Sequence, residues 1–356
     1  MDTHHPQQAG PAAATRQSPA GARVALVLGG GNALGAYLAG AYERLSEDGF
    51  SPDWIIGASI GAVTAAILAG NPPEHRLDKL RVFWSEATQH TMATSLGGHS
   101  MSRKVYNGAH AALAALACRP NMFRHRFPGA WSVLPWMPND VALYDASPLR
   151  ETLVRHVDFD RLNSGAVRLT VGCVDMESGE EVFFDTERDE IRPEHILASA
   201  AITPAFPPVE IGGRLFCDPG YANNMPLDVP FREPSDCDLL CFAVELFSLR
   251  SERPASLDAS IERTQDILFA SHARRSVEWL RRESALRERI DPRGSSATLV
   301  HLAYRAANHE LAAKGFDFSP SSITDRWATG RNDMDAGLQR LARNEHGEQR
   351  FRYVSV

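Results

Sequence analysis

A short apolar run, a glycine-rich turn and a helix-forming stretch follow one another twice in close succession. Residues 23–28, RVALVL, have the unbroken Val/Leu character of a strand buried on both faces, and Gly29-Gly30-Gly31 comes directly after them. Residues 35–47 then place Leu38, Tyr42 and Leu45 along one side of a helix. The second copy is DWIIG at 53–57, followed by SIGAVTAAILAG, which runs helically up to Asn71-Pro72-Pro73. This order predicts an α/β fold of three layers, with a mainly parallel central sheet and helices on both faces.

The rest of the chain continues in the same grammar. Helices are expected near 74–89, 147–157 and 193–201, strands near 167–174 and 181–185, a strand or hairpin at 209–217 and a buried strand at 239–247. Residues 1–22, rich in Ala, Pro, Gln and Gly, read as a disordered tail without the apolar stretch of a secretory signal. Residues 91–140 read as an irregular cap or lid inserted into a domain spanning 23–250. Residues 251–356 read as a mainly helical region packed on that domain, with one long helix or two over 257–290 that carries Arg274, Arg275, Arg281, Arg282, Arg287 and Arg289. A solvated face is the ordinary meaning of such a run, and contact with an anionic lipid surface is its alternative.

The net charge of −7 argues against a nucleic-acid binder. Cys118, Cys173, Cys217, Cys237 and Cys241 are odd in number and lack zinc-ligand or disulfide spacing, so a reduced, cytoplasmic setting is expected. No apolar run is long enough to span a bilayer. The histidines show no metal-ligand spacing, and neither a metal nor an organic cofactor is expected. The sequence sets no oligomeric state.

The two turns carry the chemistry. Gly57-Ala58-Ser59-Ile60-Gly61 is a G-x-S-x-G sequence between a strand and a helix, which puts a serine hydroxyl on a sharp exposed turn. The same pattern also suits a turn packed for close approach; the strand–turn–helix context favours a nucleophile. A serine nucleophile needs backbone N–H groups aimed at the developing oxyanion, and Gly29, Gly30, Gly31 and Asn32 stand at a helix N-terminus without bulky side chains in the way. A dinucleotide reading fits poorly, since Asn32 breaks G-x-G-x-x-G and the second strand ends in Gly57-Ala58-Ser59 rather than an acid. Downstream, LFCDPGYANNMPL holds Asp218 between a strand and a turn, although a lone turn aspartate is commonly a cap. His272, His301 and His309 all follow Asp218, so chain order leaves a Ser–His–Asp triad open, but Ser59 comes earlier in the strand order than such a nucleophile normally does.

In these three blocks the sequence resembles the patatin-like phospholipases, over about 23–230. GASIGAVTAAILAGNPPEHRLDKLRVFW, YDASPLRETL and ILASAAITPAFPPVEIGGRLFCDPGYANNMPL are similar to bacterial members, and PSSITDRWATG is similar to a region appended in some of them. The resemblance implies the patatin-like fold and hydrolysis of a lipid or other acyl ester by a Ser–Asp dyad. Ser59 would be the nucleophile, Asp218 the general base and the amides around Gly30, Gly31 and Asn32 the oxyanion hole, with Gly57, Gly61 and Gly220 as motif support. The sequence departs from the family at Asn32, where glycine is usual, at Leu34, where Arg or Lys is common, and at Pro219, where glycine is usual. Asn tolerates positive φ, whereas proline removes an N–H beside the carboxylate. A lipid-binding protein that kept the fold and lost activity is the non-enzyme alternative. Finally, 119–138 combines Arg119, Arg124 and Arg126 with Met122, Phe123, Phe127, Trp131, Trp136 and Met137. These side chains either pack inward or form a lid that touches a membrane peripherally.

Overall fold

The computed structural model describes residues 21–88, 100–119, 121–232, 236–343 and 350–356. Most of the expected tail, His90 and residues 91–99 of the expected cap lie outside the described residues. The first strands are β1 (Arg23–Leu28), β2 (Trp54–Gly57) and a two-residue pair, β3 (Arg124–His125) with β4 (Tyr144–Asp145). They are followed by β5 (Arg168–Asp175), β6 (Glu181–Asp185), β7 (Val209–Ile211) and β8 (Arg214–Cys217). The last three are β9 (Leu239–Glu245), β10 (Ala297–Ala303) and β11 (Phe351–Ser355).

Nine of these strands form one sheet in the order β11-β10-β9-β1-β2-β5-β8-β7, with β6 also on β5. The run from β11 to β5 is parallel throughout, and β6, β8 and β7 form an antiparallel margin. The fold is therefore the expected α/β one. Both faces of the central strands are covered, which is why they carry apolar residues at every position. In β1, Val24, Leu26 and Leu28 join one core with the helices Ala36–Glu47, Ile60–Ala69 and Pro320–Arg343, while Ala25 and Val27 join a second with the helix Leu257–Ile290.

Two regions differ from the sequence reading. Residues 251–356 contribute β10 and β11 to the parallel sheet as well as the helices Leu257–Ile290 and Pro320–Arg343. The latter helix packs on Ala36–Glu47 through paired glycines. A Cβ on Gly40 would lie 1.9 Å from the Trp327 carbonyl oxygen and one on Gly330 2.1 Å from that of Tyr37, so the backbones touch directly. Within the expected irregular cap, Ser100–Ala117 is a helix, in keeping with the strong helix preference of AHAALAALA. The helix expected at 147–157 begins at Ser147, whose N–H and hydroxyl both donate to Asp145.

Candidate active site

Leu28 of β1 and Gly57 of β2 are register partners in adjacent parallel strands. The two glycine turns therefore leave the sheet side by side at its carboxyl edge, where ligand sites of open α/β sheets lie. After β2 the backbone passes through Ser59 at φ 56°, ψ −127° before the helix Ile60–Ala69 begins. A residue with a Cβ held there stores on the order of 1–3 kcal/mol of strain. Its neighbours hold it in place: Ala58 N–H donates to Leu28 O at 3.1 Å, and Ser59 N–H to the Ser199 hydroxyl at 3.0 Å. The flanking glycines are required by space. A Cβ on Gly61 would sit 2.1 Å from Leu28 O, and one on Gly57 2.6 Å from Ala62 N.

The first turn faces the second closely, since a Cβ on Gly30 would approach the Ser59 Cβ to 2.8 Å. Gly29 N–H donates to Val244 O and Gly30 N–H to Asn224 O, both at 3.0 Å, so neither is free for a substrate. The N–H groups of Gly31 and Asn32 have no partner among the described residues. Asn32 adopts φ 52°, the left-handed conformation that asparagine tolerates best after glycine. Leu34 is fully buried in the core. Asn224 clamps the loop from the other side, its Nδ2 donating to Gly30 O at 3.1 Å.

Asp218 lies across from Ser59 and is buried. Its Oδ1 accepts the Gly220 N–H at 2.7 Å, while Oδ2 has no hydrogen-bond partner of ordinary length among the described residues. The Ser59 hydroxyl faces this carboxyl closely enough to favour its charged form, but burial dominates and raises the Asp218 pKa to about 7. In free enzymes such a contact is often long and tightens only with substrate bound. Pro219, at φ −77°, sits comfortably in this turn, and the N–H that serves the carboxylate belongs to Gly220. The substitution thus leaves the cap on Asp218 intact.

A cleft opens beside Ser59 and Asn32, lined by Ile60, Val63, Met122, Phe123, Leu149, Ile202 and Phe206. Two polar residues stand at the end of an otherwise apolar groove. Met122 and Phe123 come from the expected cap and point inward, whereas Phe127, Trp131 and Trp136 are 77%, 61% and 76% exposed. Of the arginines there, Arg119 is buried, and Arg124 and Arg126 are paired with Asp145 and Asp140 at 2.7 Å.

The histidines of the triad alternative are engaged elsewhere. His301 bridges Glu245 and Tyr353, His272 lies near Ser276 and Glu181, and His309 lies near Asp325. Ser199 and Asn224 were missed in the sequence. Ser199 is fully buried and donates its hydroxyl to Gly172 O at 2.6 Å while accepting from Ser59. Among the described residues no group of three or more His, Cys, Asp or Glu could hold a metal, and no helix is long and apolar enough to cross a membrane.

The chain is similar in structure to VipD from Legionella pneumophila, at 13% identity and a TM-score of 0.43, over 91% of this chain and 67% of that one. It is also similar to human GIVD cytosolic phospholipase A2, at 15% identity and a TM-score of 0.38, over 90% of this chain and 59% of that one. A third similarity is to ExoU in the ExoU–SpcU complex of Pseudomonas aeruginosa, at 15% identity and a TM-score of 0.34, over 90% of this chain and 51% of that one. The chain thus spans about half to two thirds of these proteins' length. No curated protein sequence matches it. A family model described as patatin phospholipase matches residues 278–349, and the model of the patatin-like phospholipases matches residues 26–231, more than half of the chain. The chain therefore belongs to the patatin-like phospholipase family, a family of lipid hydrolases.

Proposed function

We propose that this protein is a serine lipid acyl hydrolase that works through a Ser59–Asp218 dyad. The observation that carries the reading is a serine held at positive φ facing a buried carboxyl whose second oxygen has no other partner among the described residues. Asp218 Oδ2 takes the Ser59 hydroxyl proton as Oγ bonds to the ester carbonyl carbon. The carbonyl oxygen becomes an oxyanion, and the free N–H groups of Gly31 and Asn32 donate to it. Asp218 then returns the proton to the leaving alcohol oxygen, and the acyl group stays on Ser59. Water next attacks the acyl carbon, giving its proton to Asp218, which passes it back to Ser59 Oγ as the fatty acid leaves. A pKa of about 7 suits both halves of this cycle, in which the same carboxyl must gain and lose a proton near neutrality. The apolar cleft beside Ser59 receives the acyl chain.

Access to an insoluble substrate comes through Phe127, Trp131 and Trp136, which rest at a membrane interface. The arginines of this segment take no part, being buried or paired.

Turnover of a short-chain nitrophenyl ester tests the dyad. Ser59→Ala and Asp218→Asn should each abolish it while circular dichroism shows a folded protein. Full activity in Asp218→Asn together with loss in His301→Ala would instead establish a histidine-based esterase. Absence of any Ser59-dependent turnover across a panel of headgroups and acyl lengths would establish a lipid-binding protein without activity.

A further inference from the structure

The catalytic cleft occupies the carboxyl edge of β1 and β2; a second, chemically opposite site lies along the same edge of β9, β10 and β11. It is a groove of about 640 Å³ whose floor includes Glu245, the last residue of β9, His301 and Ala303 of β10, and Ser355 of β11. Five arginines converge on it from four separate segments. Arg250 follows β9, Arg274 and Arg281 come from the helix Leu257–Ile290, Arg305 follows β10, and Arg340 comes from the helix Pro320–Arg343.

None of the five has a carboxylate within 4.0 Å among the described residues; the closest engagements are Arg281 over the Tyr353 ring at 4.6 Å and Arg340 donating to Ser355 O. Near the first site, by contrast, Arg124 and Arg126 are paired with Asp145 and Asp140. The acids that face the groove do not neutralise it. Glu245 is buried and bonded to His301 at 3.0 Å, Glu278 is exposed on the helix, and Asp333, which Arg305 and Arg340 reach only at a distance, accepts from Tyr37. One oxygen of Glu245, Oε1, is buried without a partner among the described residues, and His301 passes its other ring nitrogen to the Tyr353 hydroxyl at 2.9 Å. The five arginines are solvent-exposed, but they come from four segments around a polar floor rather than fanning along one helix.

We propose that this groove binds a phosphate-bearing anion. Guanidinium forks match phosphate oxygens in pairs, and several converging on one group select a multiply charged phosphate over a single carboxylate. The volume falls in the range of small-ligand pockets. The phosphate is either free in solution or the exposed headgroup of a lipid, and the two sources are separable.

The probes are inorganic pyrophosphate, titrated calorimetrically into the full-length protein, and phosphatidylcholine vesicles with and without phosphatidic acid, scored by co-sedimentation. The groove variant is Arg281→Gln with Arg305→Gln. The control, Arg275→Gln with Arg282→Gln, removes the same charge from the same region outside the groove. Pyrophosphate binding weakened at least about tenfold in the groove variant and retained in the control identifies a soluble phosphate ligand. Phosphatidic-acid-dependent sedimentation lost in the groove variant alone, without pyrophosphate binding, identifies a headgroup. Equal loss in both double variants, or no binding of either probe by the parent, overturns the proposal. Hydrolysis of a soluble ester by the groove variant stays within about twofold of the parent, which separates this result from failure of the dyad.

Discussion

Two neighbouring stretches of the parallel sheet's carboxyl edge carry the two proposed sites, made in different ways. At β1 and β2 the site is built from backbone: a strained serine, two amides without a partner among the described residues, glycines that let strand and helix touch, and one buried carboxyl. At β9, β10 and β11 it is built from long side chains that reach in from segments far apart in sequence. Backbone sites are rigid and intolerant of a single methyl group. Side-chain sites lose binding by degrees as charges are removed. That contrast ranks the expected effects of mutation.

The largest effect belongs to Gly61→Ala. Its Cβ would stand 2.1 Å from Leu28 O, contact between two backbones that no rotamer change relieves, so strand and helix must separate. Failure to fold, or a loss of several kcal/mol in denaturant titration, is expected. A folded and active Gly61→Ala protein would show that the first site is not fixed by backbone contact.

Next comes the residue that ties the C-terminal region to the first glycine turn. Arg326 is fully buried and donates to Glu310 at 2.9 Å, to the Asp317 and Lys314 carbonyls, and to Ala33 O at 3.1 Å, directly behind the first glycine turn. Arg326→Met strands the Glu310 carboxylate and releases that loop, with an expected loss of about 3–5 kcal/mol in stability. If stability falls by less than about 1 kcal/mol, the C-terminal region is an accessory to the first site rather than part of its frame.

Asp218→Asn should act with the opposite sign. Burial raises the folded pKa of Asp218 to about 7 from an ordinary value of 3.8, so the folded state prefers the protonated acid. Above the unfolded pKa the unfolded chain ionises first, and stability is lost progressively as pH rises toward 7, beyond which the loss is constant. Asparagine cannot ionise and keeps an oxygen for the Gly220 N–H. The variant should therefore be more stable than the parent by a few kcal/mol near pH 8, and by little near pH 4. Equal stability at both pH values would mean that Asp218 is not held in a desolvated site.

The smallest effect concerns the exposed aromatic side chains Trp131 and Trp136. Removing Trp131 and Trp136 together exposes no core, since both rings are already exposed. Each ring taken up by lipid contributes on the order of 25 cal/mol per Å² of apolar area buried. Trp131→Ala with Trp136→Ala should weaken liposome sedimentation several-fold and leave soluble-ester turnover within about twofold. Equal losses in both assays would assign these side chains to the framework of the cleft.

The same contrast explains what could be read in the sequence. The strand–turn–helix units around Gly29–Gly31 and Ser59 are local, so their spacing and small residues announce them, and Asp218 stands out through the company it keeps. Ser199 meets Ser59 across 140 residues, Asn224 meets Gly30 across 194 and Arg326 meets Ala33 across 293. No short pattern encodes such pairings. β10 and β11 were overlooked for a related reason: both lie in a region dominated by long helices, and their places are set by long-range pairing, β10 with β9 and β11 with β10. The sequence reading counts Gly29 and Gly30 among the oxyanion donors, and only the fold reveals that their amides are spent on Val244 and Asn224. The Arg274 and Arg281 run reads as a solvated face in the sequence, and only the fold sets Arg250, Arg305 and Arg340 beside it.

The most direct test of the account is the covalent reaction of Ser59 itself. A fluorophosphonate probe is applied to the parent and to Asp218→Asn from about pH 5 to about pH 9, with the labelled peptide located by mass spectrometry. The account predicts a single adduct on Ser59, forming at a rate that rises about tenfold per pH unit and levels off near the Asp218 pKa of about 7, with slow and pH-independent labelling in the Asn variant. Labelling at another residue, or an Asp218→Asn protein that reacts at the parental rate and with the parental pH dependence, would contradict it.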